Sequence, residues 1–307
     1  MAKQLRSLTG TVVAITGGAR GIGRATASAC AAAGCKVALG DLDGELAAQT
    51  AGEIGGGTIA IEVDVTERGS FTRFLDEVEA RHGPLDVLVN NAGIMHIGEF
   101  GDEDDAAARR MIEVNLVAVI LGSKLALQRF RARGRGHLVN IASAAGRLPI
   151  AGAASYTATK HAVVGLSDAI RQELHGTGIE VSVVMPTVVN TELVQGVEHK
   201  RALKWVEPED VAAAIVGALR APKFDVWVPG SLARLFRTIV LLPRRASEGL
   251  GRAMGASRLM LDANHAARVQ YEARAARATA AAPPESLAEF PPQAASQSTI
   301  KRPISAP

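Results

Sequence analysis

Tyr156 and Lys160 stand four residues apart in the stretch SYTATK, inside a run otherwise made of alanine, serine, threonine and glycine. On a helix that spacing puts both side chains on one face. A free phenol has a pKa of about 10 and is a poor base at neutral pH. A lysine ammonium a few ångströms away favours the phenolate, so the pair is expected to lower that pKa and allow general acid–base work. Ser143, thirteen residues earlier, offers a hydroxyl able to hold a carbonyl or alcohol oxygen. By itself a Y-x-x-x-K helix is common, so the meaning of the pair depends on its surroundings.

Those surroundings include TGGARGIG, residues 16–23, between a short apolar run and a helical pattern. Gly17 permits a tight turn. Gly21 and Gly23, with Ile22 between them, let the backbone approach a pyrophosphate at a helix start, where free N–H groups face the phosphates. The spacing is G-x-x-x-G-x-G rather than G-x-G-x-x-G. Asp41 ends the next apolar run, where a carboxylate can accept both hydroxyls of an adenosine ribose and repel a 2′-phosphate. NAD is therefore expected over NADP. Arg20, inside the turn, is the residue that argues the other way. Asp64 and Val65 close a third run and offer adenine a carboxylate and backbone; Asp64 reads equally well as a helix cap. Asn91, Ala92 and Gly93 close a fourth, small enough for backbone to lie against a nucleotide.

Elements that would position these residues alternate along the first 230 residues. Strands are expected at 11–16, 36–41, 58–64, 85–93, 136–143, 179–186 and 223–230. Helices are expected at 21–34, 45–54, 70–83, about 104–133, 155–177 and 207–220. Continuous apolar runs such as LDVLVNNAG fit strands buried on both faces. Alternating strands and helices imply a doubly wound parallel α/β sheet. Ligands of such sheets bind beyond the carboxyl ends of the strands, and each candidate residue named above follows a strand or sits on the helix after one.

The bulk numbers fit that picture. The 307 residues are 48% hydrophobic and 21% charged, ordinary values for a globular protein. Cys30 and Cys35 have no second pair and no histidines at ligand spacing, so no metal site and a reducing, cytoplasmic setting are expected. Residues 1–10 lack an apolar signal core, and no uninterrupted apolar stretch reaches a membrane-spanning length. Residues 1–230 carry 23 Lys and Arg against 26 Asp and Glu, whereas 231–277 carry nine arginines against three acids. The net +3 thus belongs to one C-terminal block, and the main body gives no reason to expect nucleic acid.

Together these pieces resemble the short-chain dehydrogenase/reductase family. TGGARGIG, Asp64-Val65, NNAG, Asn115 within VNL, Ser143 and YTATK stand in the family's order and spacing over about residues 8–230. The resemblance implies a Rossmann-type catalytic domain over 1–230. It implies that Tyr156 exchanges the proton with the substrate oxygen, and that Lys160 lowers its pKa and holds the nicotinamide ribose. Ser143 would orient the substrate oxygen. Asn115, otherwise a polar residue on a helix face, would support a water that relays protons to Lys160. Pro186, Val189 and Thr191 would line the nicotinamide side, with Thr191 at the carboxamide. Thr187 departs from the family, which commonly has glycine there; a Cβ at 187 is expected to alter that loop's path. Many relatives form dimers or tetramers, so a homo-oligomer is expected.

Specificity is expected from about 188–206 and from the segment after NNAG. Ile94, Met95, Ile97, Leu148, Ile150, Val194 and Trp205 are candidates to line an apolar pocket, with His96 at its rim or in solvent. The expected substrate is a hydrophobic secondary alcohol or ketone of steroid, retinoid or lipid type. Residues 231–277 read as a basic, amphipathic helical extension, either packed on the domain or another subunit, closing over the substrate site, or resting on an anionic membrane surface. Residues 278–307, rich in proline, alanine and serine, read as disordered. Two rival readings remain: an NADPH-dependent carbonyl reductase, in which Arg20 dominates, and a non-catalytic dinucleotide-sensing protein. The intact set of Asn115, Ser143, Tyr156 and Lys160 argues against the sensor.

Overall fold

The computed structural model describes residues 5–198, 205–233 and 259–277, with a few isolated residues between the last two. Seven strands run β1 (Val12–Thr16), β2 (Lys36–Asp41), β3 (Ile59–Glu62), β4 (Val87–Asn90), β5 (Gly136–Ile141), β6 (Ile179–Pro186) and β7 (Asp225–Val228). They form one parallel sheet in the order β3-β2-β1-β4-β5-β6-β7. The chain winds outward from β1 to β3, then returns to the other side of β1 with β4. The carboxyl ends of β1 and β4 therefore flank the switch point where such sheets open a crevice.

Helices cover both faces. α1 (Gly21–Ala32), α2 (Gly44–Ile54) and α7 (Pro208–Arg220) pack on one, against Val13, Ile15, Val37, Leu39, Val89 and Val184. α3 (Arg68–His82), α5 (Ala118–Arg133) and α6 (Ala154–Glu173) pack on the other, against Val12, Ala14, Ala38, Leu88, Leu138 and Val181. Alternate strand residues serve opposite layers, which is why the strands read as unbroken apolar runs. Phe71 and Phe74 of α3 are wholly buried, and truncating either to alanine costs about 3–5 kcal/mol. The Phe74 ring fits because β2 carries Gly40, where a Cβ would lie 2.8 Å from it.

The long helix expected at 104–133 is three pieces: α4 (Asp105–Ile112), a π-helical turn (Glu113–Val117) and α5. By length and composition Asp105–Arg133 could cross a membrane, yet more than half of its most apolar 18-residue window is buried inside the protein, as in a core helix. The strand expected at 85–93 stops at Asn90, and the segment that follows is irregular. Most of 234–258, and all of the tail 278–307 read as disordered, lie outside the described residues. A last helix, α8 (His265–Arg277), belongs to the C-terminal extension.

Candidate active site

The turn after β1 is held to the end of β4. Thr16 Oγ1 accepts the N–H groups of Asn91 (3.0 Å) and Ala92 (3.1 Å), while Asn91 Nδ2 donates to the carbonyls of Thr16 and Gly17, both at 2.9 Å. Gly17 has φ +64°, and a Cβ there would come within 2.9 Å of the Ala92 backbone. A Cβ at Gly23 would collide with the Gly17 carbonyl. Side chains are thus excluded from a cradle at the start of α1, as a close-lying pyrophosphate requires. Ile22 packs into the layer below. Thr191, beyond β6, lies over Gly21: a Cβ on that glycine would meet the threonine methyl at 3.3 Å.

Asp41 closes β2 beside this cradle. Its carboxylate accepts the N–H of Ala19 (2.9 Å) and that of Asp43 (3.2 Å). Burial holds its pKa above the ordinary carboxylate value, against those two hydrogen bonds and the nearby Arg20 charge. Arg20 pairs with Asp43 at 2.7 Å and with Glu192 at 3.4 Å. Asp64 accepts from both the N–H (2.9 Å) and the hydroxyl (2.6 Å) of Thr66, so its carboxylate shapes the approach to α3, whose N-cap is Glu67. Val65 is half-buried beside it. Pro186 ends β6 in the interior, and Val189 bridges to Val206, which fixes the path of the following loop. Thr187 donates its N–H to Val228 (2.9 Å). Among the described residues no non-glycine has positive φ, so this threonine fits the loop without backbone strain.

Ser143, Tyr156, Lys160 and Asn115 converge beyond the ends of β4 and β5. Tyr156 lies in the first turn of α6 and Lys160 one turn on. The small-residue run has a packing cause. Residues 144–146 form a 3-10 turn laid directly on α6, and a Cβ at Gly146 would lie 2.7 Å from the Lys160 carbonyl. The Ser143 hydroxyl accepts from the Ala145 N–H (3.1 Å) and lies beside the Tyr156 phenol, whose pKa it draws down. Lys160 Nζ donates to the Ile141 carbonyl (3.0 Å) and stands 5.6 Å from the centroid of the Tyr156 ring. Gly93 faces both Lys160 Nζ and Asn115 Oδ1. Asn115 is fully buried in the π turn. Its amide clasps the backbone of Ile94, accepting the N–H at 2.9 Å and donating to the carbonyl at 2.8 Å, and reaches Thr159 Oγ1 at 3.3 Å.

The electrostatics differ from the expectation of an acidified phenol. Burial pushes Tyr156 up to about 12, with only the Ser143 hydrogen bond pulling it back. Burial also pushes Lys160 down to about 8. Desolvation disfavours each charged form and is the largest cause of both shifts. At neutral pH the resting phenol is protonated, ready to give a proton rather than take one.

Above Tyr156 the site is apolar. Ile94, Met95, Ile97, Val194 and Val197 pack in one cluster with it, flanked by Ile150 and Trp205. Leu148 is half-buried outside that cluster. Burial holds His96 below its usual pKa. The same cluster contains Leu259, Met260, Ala263, Tyr271 and Ala275, none of which the sequence alone marks as a site residue. The available signal was that Tyr271 is one of only two tyrosines in the chain.

Comparison with known proteins agrees with this geometry. Residues 11–202 match a family described as short chain dehydrogenase. A 2,5-dichloro-2,5-cyclohexadiene-1,4-diol dehydrogenase, LinX, of Sphingobium indicum is 39% identical over 193 residues, 62% of this chain and 77% of the relative. A 3-alpha-(or 20-beta)-hydroxysteroid dehydrogenase of Mycobacterium tuberculosis is 35% identical over 215 residues, 70% of this chain and 79% of the relative. The crystal structure of a 3-ketoacyl-(acyl-carrier-protein) reductase from Brucella melitensis complexed with NADH superposes with a TM-score of 0.66 at 28% identity, covering 72% of this chain and 98% of that one. The chain belongs to the short-chain dehydrogenase/reductase family, oxidoreductases that act on hydroxyl groups with a nicotinamide dinucleotide.

Proposed function

We propose that this protein is an NAD-linked dehydrogenase that interconverts apolar, ring-bearing secondary alcohols and their ketones. One observation carries the reading: the Tyr156 phenol, with the Ser143 hydroxyl beside it, lies at the foot of a wall made almost wholly of aliphatic side chains. Such a wall favours hydrocarbon and offers a sugar's hydroxyls few partners. The named substrates of the diol and hydroxysteroid dehydrogenases above are cyclic alcohols of that kind.

The residues that would hold the dinucleotide are the turn Gly17–Gly23, Asp41, Val65, Asn91 to Gly93, Lys160 and the loop Pro186–Thr191. When bound it supplies or accepts hydride at the substrate carbon. In reduction, Ser143 and Tyr156 hold the carbonyl oxygen, and the protonated phenol gives it a proton. The phenolate left behind faces the Lys160 ammonium, whose charge stabilises it in a site of low dielectric. Asn115 fixes Ile94 and, through Thr159, the turn carrying Tyr156, so the acid stays aimed.

Pairing of Arg20 favours NAD. Its guanidinium is already opposed by Asp43 and Glu192, and Asp41 lies alongside. A 2′-phosphate would meet two aspartates and a cation with two carboxylate partners. The NADPH-dependent reductase is the second reading, and it requires Arg20 to leave those partners. Steady-state kinetics on cyclic secondary alcohols and polyols, with NAD and NADP side by side, tests the proposal. It predicts turnover of the apolar rings and a higher kcat/KM with NAD. Preference for polyols or for NADP would contradict it.

A further inference from the structure

The C-terminal extension lies beyond the residues matched to the family, yet its helix reaches the catalytic cleft. Arg268 is fully buried. Its guanidinium donates to the carbonyls of Met95 (2.8 Å), Leu193 and Gln195 (both 3.0 Å) and to the carboxylate of Glu272 (3.2 Å). Its guanidinium carbon lies 4.9 Å from the Tyr271 ring centroid. A buried cation is tolerated only where its donors are met. The donors here are met by backbone from two distant segments, one after β4 and one after β6. Those are the two segments from which specificity is expected.

Tyr271 completes the grip on the first of them. Its hydroxyl accepts the Met95 N–H at 2.8 Å, so Met95 is held through both its backbone groups by one helix. The second segment is tied again where Asn264 donates its N–H to Gly196 at 2.8 Å. The body is shaped to receive this chain: Gly196 (φ +82°) and Gly152 (φ +81°) are where it runs closest, and a Cβ at Gly152 would lie 2.9 Å from the Leu261 nitrogen. Tyr156 lies close enough to Tyr271 for its phenolate to raise the Tyr271 pKa.

We propose that residues 259–277 form a cap over the substrate side of the cleft, in which Arg268 is a positioning residue joining the two specificity segments and Tyr271 is a specificity-determining wall. The substrates concerned are the apolar ring alcohols and ketones of the preceding section, on whose reading this rests. The cap acts on substrate and leaves the dinucleotide alone, because its described hydrogen bonds reach the dinucleotide side only through Arg274 and Glu192, both solvent-facing.

The test uses full-length protein and two probes, a monocyclic and a fused-ring secondary alcohol, each with NAD. Arg268→Lys keeps the charge but loses the fork that spans both segments. KM for either alcohol should rise ~10-fold with kcat within ~3-fold, the pattern of lost ground-state binding, while NADH affinity by fluorescence stays unchanged. Tyr271→Ala should raise the fused-ring to monocyclic ratio of kcat/KM ~10-fold, and Tyr271→Phe should restore the wild-type ratio. If active variants keep both KM and ratio, or lose NADH affinity in step, the cap is wrong. Hydrogen exchange on the wild type serves where a variant fails to fold. Alcohol added to the NAD-bound protein should slow amides of 265–277, and unchanged exchange there overturns the cap. A wild type inactive on every alcohol and ketone would instead sink the dehydrogenase reading, and the cap with it.

Discussion

Lys160 Nζ stands 5.6 Å from the ring centroid of Tyr156, and both side chains are buried. Burial holds the phenol at about 12 and the ammonium at about 8. The two values set opposite pH dependences for the two directions of reaction. Reduction needs a protonated phenol and a charged lysine, so its kcat/KM should be flat below pH 7 and fall as pH rises through about 8. Oxidation needs the phenol deprotonated beside the same charged lysine, so its rate should climb with pH up to about 8 and level off above it. Lys160→Met should remove the fall in reduction near pH 8 and lower the rate at neutral pH. A pH–rate profile in both directions checks this, and a reduction rate that rises between pH 7 and 9 would contradict it.

Cofactor choice rests on Asp41, Asp43 and Arg20. Asp41→Ala combined with Asp43→Asn removes two carboxylates and frees the guanidinium from its 2.7 Å partner. The ratio of kcat/KM for NADP to that for NAD should rise on the order of 100-fold, from lost repulsion plus a gained charge-assisted contact. Kinetics with both dinucleotides at fixed alcohol concentration measures it.

Acid should destabilise the fold through a residue far from the cleft. His137 in β5 is buried, and its Nε2 lies 2.8 Å from Ser182 Oγ. The Ser182 hydroxyl donates to the Lys223 carbonyl (2.7 Å), so it accepts from His137, which fixes the proton on Nε2. Burial lowers its pKa from 6.5 to about 4. As pH falls the unfolded chain takes up that proton first, so the stability is full above about 6.5 and drains away toward 4. The loss approaches roughly 3 kcal/mol at the lower limit. Denaturant melts from pH 7 to 4 should show it, and His137→Gln should flatten the dependence.

What could be read from the chain depended on distance along it. The glycine turn and the Tyr156–Lys160 pair are local: residues within one turn of each other, with spacing set by backbone geometry. Ser143 and Asn91 were legible because a parallel sheet puts the ends of successive strands side by side. Asn115 needed the family's pattern, since a π turn leaves little trace in residue type. Arg268 and Tyr271 were out of reach because their partner Met95 lies 173 and 176 residues away. The direction of the Tyr156 shift is not legible in the sequence for a related reason. Spacing reports the neighbouring charge but not the burial, and here burial is the larger effect.

The central claim is that the Tyr156 hydroxyl carries the proton while a nicotinamide dinucleotide exchanges hydride. Tyr156→Phe removes one oxygen and leaves the ring packed in its cluster. The account predicts a fall in kcat of at least ~10³-fold on a cyclic secondary alcohol, within the span attributed to positioned acid–base groups, with NADH affinity unchanged. A variant that turns over at a rate close to that of the wild type would contradict it.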